Sequence, residues 1–167
     1  IHAAADRFDN EYDTIRAVRD SQFKYLRNYN LDKAYYLPLP YREQMPIMQE
    51  LLRLNEQGKL NQNQAQWFRQ QKPLEELFDT ENDPHELQNL AEDPAYYDKL
   101  IELRAELDGW LSGFEDLGFK PEEELIKELW PGGIQPITSA PSFFLQNGEV
   151  QISSDTPGAN IAFQILP

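Results

Sequence analysis

Lys72-Pro73-Leu74-Glu75-Glu76-Leu77-Phe78-Asp79-Thr80-Glu81-Asn82-Asp83-Pro84-His85-Glu86-Leu87-Gln88-Asn89-Leu90-Ala91-Glu92-Asp93-Pro94 is the segment around which the other elements arrange themselves. Leu74, Leu77 and Phe78 give a brief apolar run bounded by Pro73 and a polar turn cluster, the pattern of a short strand. Asp83, Pro84 and Glu86 then stand at the N-cap, first helical and third helical positions of a capping box, which predicts a helix start. Asp93-Pro94 repeats the device ten residues on and predicts a second one.

Upstream, Thr14–Arg19 and Phe23–Tyr29 are β-rich runs separated by Asp20-Ser21-Gln22, the best hairpin candidate in the chain. Phe23, Tyr25, Arg27 and Tyr29 fall on one face; Lys24, Leu26 and Asn28 fall on the other. Apolar groups on both faces predict a sheet covered on each side, by the helices that follow and by a second element that need not belong to this chain. Arg16, Arg19, Lys24 and Arg27 gather here in an otherwise acidic sequence. They either pair with the acidic helices or form an anion-facing patch. His2–Asp9 reads as a mixed-charge loop leading into the hairpin.

Between hairpin and strand, Leu31–Tyr41 reads as an extended connection containing Pro38 and Pro40. Pro46 opens a helix with the apolar stripe Ile47, Met48, Leu51, Leu52 and Leu54, stopped by Gly58. Trp67 and Phe68 predict a short packed helix within the Gln/Asn-rich stretch 61–71. From Pro94 to Phe114, Tyr96, Leu100, Leu103, Leu107, Trp110 and Phe114 recur at three- and four-residue steps, the stripe of a helix laid across the sheet. Glu122–Trp130 adds one more short helix with Leu125, Ile126, Leu129 and Trp130 as its buried side.

After Pro131-Gly132-Gly133 the pattern becomes β. Phe143-Phe144-Leu145 precedes the tight-turn pair Asn147-Gly148, Val150 and Ile152 alternate with polar residues, and Ile161, Phe163 and Ile165 alternate beyond Thr156-Pro157-Gly158. The reading is α+β: a small antiparallel sheet packed by helices, with a partial β-sandwich-like tail. The boundary is expected between residues 1–130 and 131–167. Because a sandwich needs about seven strands, and the chain starts with Ile rather than Met, a fragment of a longer protein is expected.

Composition narrows the function. The 167 residues carry a formal charge of −14, with 40% hydrophobic and 12% aromatic residues. That balance suits a folded core and disfavours nucleic-acid or anionic-membrane partners, since phosphate is repelled at long range. Cysteine is absent, which removes disulfides, thiolate nucleophiles and thiolate zinc sites. No apolar run approaches the roughly 20 residues of a membrane span. A calcium loop opening at Asp79 meets Pro84 and Leu90 where Gly and Glu are needed, so capping explains those acids without a metal. His2 and His85 build no triad, and phosphate-binding glycine loops are missing.

Glu76-Leu77-Phe78-Asp79-Thr80-Glu81-Asn82-Asp83-Pro84-His85-Glu86-Leu87-Gln88-Asn89-Leu90-Ala91 resembles the "E-L-Y-D-L-x-x-D-P-x-E-x-x-N-L-A" signature near the C-terminus of type I sulfatases, members of the alkaline-phosphatase superfamily. Tyr12–Arg19 with Phe23–Tyr29 resembles a second segment of the same proteins, "Y-D-x-I-R-A-V-R" followed by "Y-K-Y-I-R-N-Y". His2–Asp9 is similar to "A-A-x-D-R-M-D" of bacterial sulfatases related to N-sulfoglucosamine sulfohydrolases. The resemblance covers residues 2–112 and implies a sulfatase C-terminal subdomain. Residues 148–161 resemble the opening strands of fibronectin-type or chitobiase-C-terminal-type modules through Gly148, Val150, Ile152, Thr156-Pro157-Gly158-Ala159 and Ile161.

What this resemblance implies is an enzyme whose chemistry lies outside these residues. Sulfatases hydrolyse sulfate esters or sulfamates with a formylglycine from a "C/S-x-P/A-x-R" motif and a calcium ion held by Asp and Asn. This chain has neither, so calcium and formylglycine are expected in an N-terminal catalytic domain of the same polypeptide. That domain is the expected partner, with a sulfated carbohydrate or aryl sulfate as substrate. By the resemblance, His2, Asp6 and Arg7 lie near the substrate pocket, Arg7 being suited to hold sulfate or carboxylate bidentately. A periplasmic or extracellular location is the matching expectation. The rival reading is a non-enzymatic carbohydrate-binding module, with Phe143, Phe144 and Phe163 of the tail stacking on sugars.

Overall fold

A computed structural model describes residues 1–165; the last two residues of the expected tail module lie outside the described residues. The chain divides into two compact units, Ile1–Phe119 and Lys120 onward. In the first, strands β1 (His2–Phe8), β2 (Glu11–Arg19), β3 (Phe23–Asn28) and β4 (Glu75–Asp79) form one antiparallel sheet in the order β1-β2-β3-β4. The hairpin is as the sequence indicates, while the strand expected over Leu74–Phe78 forms over Glu75–Asp79 and leaves Leu74 outside it and exposed. The fold class is α+β.

The N-terminal loop expected over residues 2–9 is instead the edge strand β1. It pairs with β2 from His2↔Val18 to Phe8↔Glu11, with an irregularity between Ala5 and Arg7. Its three alanines and scattered charges carry little β propensity. The pairing comes from the tight Asp9-Asn10 connection, where Asp9 adopts φ +49°, a conformation aspartate tolerates better than most residues.

Val18, Tyr25 and Leu77 are register partners across β2, β3 and β4 and face one side of the sheet. Helix α4 (Tyr97–Leu111) lays Leu100, Leu103 and Leu107 against them. The three- and four-residue steps keep these leucines on one stripe, and Leu107, Tyr25 and Leu77 are fully buried. Asp93 caps the lead-in turn by accepting from the Ala95 amide at 2.9 Å, and Pro94 needs no acceptor for a missing N–H. Glu75 clamps this layer: its carboxylate takes both Nε and Nη2 of Arg104 at 2.7 Å and the Tyr25 hydroxyl at 2.5 Å.

Arg104 holds the Glu75 carboxyl below the usual range. Burial, reinforced by Glu75, pushes the Tyr25 hydroxyl up to about 12. A depressed acid loses its stabilising contribution as pH falls through its folded pKa; a raised phenol loses its contribution between the free value near 10 and the folded value. The melting temperature is therefore expected to fall below about pH 4 and again above about pH 10. A pH series of thermal melts checks this, with Glu75→Gln flattening the acid limb and Tyr25→Phe the alkaline one.

The helix expected at Asp83 does not form. Asp83 still accepts amides, but from Leu87 (2.7 Å) and Gln88 (2.8 Å), across a turn in which Glu86 has φ +54°. Glu86 does not reach back to Asp83; it pairs with Lys24. The competing force is the sheet edge. Asn89 Oδ1 accepts the Leu77 and Ala91 amides at 2.9 and 3.0 Å, its Nδ2 donates to the Glu75 carbonyl at 3.2 Å, and the Leu90 amide donates to the Leu77 carbonyl at 2.8 Å. The segment thus acts as a short fifth rung beside β4 and delivers Leu90 to the core, which a helix there would forbid. Asn89→Ala strands two amide donors, one of them on fully buried Leu77, and is expected to cost about 2–3 kcal/mol. Urea unfolding checks this, with Asn89→Asp, which keeps the acceptor, losing less.

On the opposite face, α1 (Pro40–Glu43), α2 (Pro46–Glu56) and α3 (Gln62–Ala65) follow β3, and α3 continues into a 3-10 turn, Gln66–Phe68. Pro46 opens α2 and Gly58 (φ +62°) follows its end, as expected. Of the predicted α2 stripe only Met48 is buried; Ile47 is exposed. The connection expected to stay extended over 31–41 instead enters α1 at Pro40, and it is not wholly superficial, since Leu37 and Leu39 are buried.

In the second unit, α5 (Glu122–Leu129) is amphipathic but buries no residue. The tail is one hairpin, β5 (Ser142–Gln146) with β6 (Glu149–Ser153), turning at Asn147-Gly148. Ile161–Ile165 alternate but form no strand.

Candidate functional site

The sheet face away from α4 floors a cavity of about 420 Å³. Ala5, Ile15, Leu26 and Phe78 form the floor; Tyr35, Arg42, Trp67, Arg69 and His85 stand around it. Three ties hold the walls. The Tyr36 amide donates to the Trp67 carbonyl at 2.9 Å, the Lys72 amide to the Leu31 carbonyl at 2.9 Å, and the Gln66 side-chain amide to the Leu87 carbonyl at 3.1 Å. Tyr36 and Phe68 rings pack 5.1 Å apart.

Three acids line the cavity; two are paired with a lysine and the third is hydrogen-bonded by neutral side chains. Asp13 pairs with Lys72, both nearly inaccessible to solvent, and also accepts the Thr14 amide at 2.8 Å. Glu76 accepts from the Tyr35 hydroxyl and from Asn28 Nδ2 at 3.0 Å. Burial and the neighbouring Glu76 push the Tyr35 hydroxyl up, so it stays a neutral donor. Glu86 pairs with Lys24. Arg42 and Arg69 differ: neither meets a carboxylate among the described residues. The Arg42 guanidinium lies 5.8 Å from the Trp67 ring centre and that of Arg69 lies 5.9 Å from Tyr35.

The residues singled out from the sequence lie elsewhere. His2 stacks on Trp110 at 4.9 Å and its Nε2 is 3.0 Å from Glu106 of α4. Asp6 accepts from Arg16 Nη1 at 2.8 Å. Arg7 donates from Nε to the Asp9 carbonyl at 2.7 Å, beside the β1–β2 turn. His2 and Asp6 are thus engaged within the unit, and none of the three lines the cavity. The hairpin cations also pair: Arg16 with Asp116 and Asp6, Arg27 with Asp108, Lys24 with Glu86. Gly118 sits so close to this group that a Cβ there would stand 2.1 Å from Arg16 Nη2 and 2.5 Å from Asp6 Oδ1.

The acids around Asp79 are taken up by local hydrogen bonds. Asp79 Oδ1 accepts the Glu81 and Asn82 amides at 3.2 and 3.1 Å, Oδ2 accepts Gln22 and Asn82 side chains, and Asp83 holds two further amides. No cluster of three or more metal-ligating side chains exists among the described residues. No helix among them is long and apolar enough to cross a membrane.

No protein-family model matches the chain. The chain is 58% identical over 167 residues to an "Ulvan-active sulfatase" of Formosa agariphila, an alignment covering 99% of this chain and 28% of that protein. A second "Ulvan-active sulfatase" of the same organism is 29% identical over 106 residues, covering 61% of this chain and 18% of that protein. The chain is therefore similar to a portion of a sulfatase, and it spans at most 28% of the length of these curated relatives.

Proposed function

We propose that this chain is the C-terminal portion of a sulfatase, a sulfuric ester or sulfamate hydrolase, that packs on a separate catalytic portion and shapes its substrate cleft. The observation that carries the reading is the 58% identity maintained along 99% of the chain to a sulfatase three to four times as long. The catalytic formylglycine and calcium belong to the other portion; the residues here do not fit either. The substrate is a sulfated carbohydrate, and the location periplasmic or extracellular. Arg7, exposed next to the β1–β2 turn, is the side chain with which this unit reaches substrate sulfate, while Asp6 and His2 fix the strand that carries it.

The test is sulfate release by the complete protein. Hydrolysis of sulfated polysaccharide with a raised KM and little-changed kcat in Arg7→Ala supports the reading; an unchanged KM removes Arg7 from it, and no sulfate release removes the sulfatase. One observation favours the second reading, a carbohydrate-binding tail: Phe143 and Phe163 are each more than 70% exposed. Glycan binding abolished by Phe143→Ala, with sulfate release absent, would select it.

A further inference from the structure

We infer that the cavity over the outer sheet face is a binding site for an anionic sugar, a pyranose carrying a sulfate or carboxylate group, separate from the residues assigned above to substrate sulfate. The volume, about 420 Å³, lies in the lower part of the 300–1,000 Å³ range typical of small-molecule sites. The lining sorts by charge in an informative way. Asp13 and Glu86 are offset by Lys72 and Lys24, which leaves Glu76, held by the neutral Tyr35 and Asn28 side chains, as the one lining carboxylate without a cation partner among the described residues, against two arginines. Arg42 and Arg69 have no carboxylate partner, the Arg69 Nε donating to the Gln66 carbonyl at 3.2 Å and leaving its terminal nitrogens for a ligand, although the chain carries 29 acidic residues against 15 Lys and Arg. In so acidic a chain, two arginines on one cavity with no carboxylate within reach are unexpected.

Their setting prepares them for that ligand. A guanidinium lying over an aromatic ring gains a cation–π contact while its in-plane N–H groups stay available, the geometry that grips sulfate or carboxylate bidentately. Trp67, 46% exposed, adds a flat apolar surface of the kind sugar rings stack on. His85, on the same wall, supplies a further ring nitrogen. Of the hairpin cations, by contrast, Arg16, Lys24 and Arg27 already have carboxylate partners, and Arg19 donates to the Thr80 hydroxyl at 3.0 Å.

Hydroxyl-radical footprinting of the complete protein tests the inference with three probes: dextran sulfate oligosaccharides, oligogalacturonate and neutral dextran oligosaccharides. Expected is protection of Trp67 from oxidation by a charged probe and none by the neutral one; protection by only one charged probe identifies the preferred group. In Arg42→Ala/Arg69→Ala the concentration giving half-protection should rise at least about tenfold, and in Arg42→Lys/Arg69→Lys, which keeps the charge, by less. Three results overturn it: no protection by either charged probe, equal protection by neutral dextran, or a Trp67 already shielded without saccharide, which would make another part of the polypeptide the occupant. Because the readout is protection at Trp67, its failure is separate from any failure of sulfate release.

Discussion

Lys72→Met is expected to lower the unfolding free energy by about 3–5 kcal/mol. The Lys72 ammonium and the Asp13 carboxylate have side-chain exposures of 0% and 3%. Moving either charge out of water is costly, and only the partner offsets it. Lys72 also lies 5.7 Å from the Tyr35 ring centre. Removing the lysine alone leaves Asp13 with the Thr14 amide as its remaining support. Replacing the pair together, Lys72→Met with Asp13→Leu, should recover most of the loss, because a matched apolar pair is often as stable as a buried ion pair. Urea unfolding of both variants distinguishes a missing partner from lost packing: if the double variant is as unstable as the single one, packing is the cause.

Arg16→Met should be of similar size, about 3–5 kcal/mol. Arg16 is 1% exposed and grips Asp116 through Nε and Nη2 at 2.7 Å, while Nη1 holds Asp6 at 2.8 Å. It therefore ties β1 and β2 to the segment after α4. The arginine also holds the Asp116 carboxyl below the usual range. Asp116 accordingly stabilises the fold above the ordinary aspartate pKa and ceases to do so as pH falls through its lowered value. Thermal melts should show Arg16→Met less stable at pH 7 and losing less on acidification than the parent. An equal acid slope in both would contradict the assignment.

The elements most legible in the sequence are those whose periodicity coincides with burial. The α4 stripe and the β2–β3 alternation both report a single dominant contact, the core between Leu100, Leu103, Leu107 and Val18, Tyr25, Leu77. The Asp83 turn carries genuine capping signals, yet the decisive interaction is non-local: Asn89 satisfies the edge of β4, twelve residues from its Leu77 partner. Strand β1 is hidden for a different reason: its alanines and scattered charges carry little β propensity, and it is the Asp9-Asn10 turn that folds it back onto β2. The cavity was invisible altogether. Its walls come from separated segments, and Arg42 and Arg69 look in sequence like any surface cation. Only their lack of a carboxylate, set against the pairing of Arg16, Lys24 and Arg27, distinguishes them. The signal that the sequence did offer was Trp67-Phe68 within a polar tract, which marked the wall without revealing what it enclosed.

Ion chromatography of free sulfate checks the proposal that this unit serves a sulfate-releasing enzyme without carrying its chemistry. Sulfated polysaccharide would be incubated in parallel with the complete protein and with the 167-residue chain. Sulfate is expected from the complete protein and none from the chain. Sulfate released by the chain itself, or none released by the complete protein, would contradict the proposal.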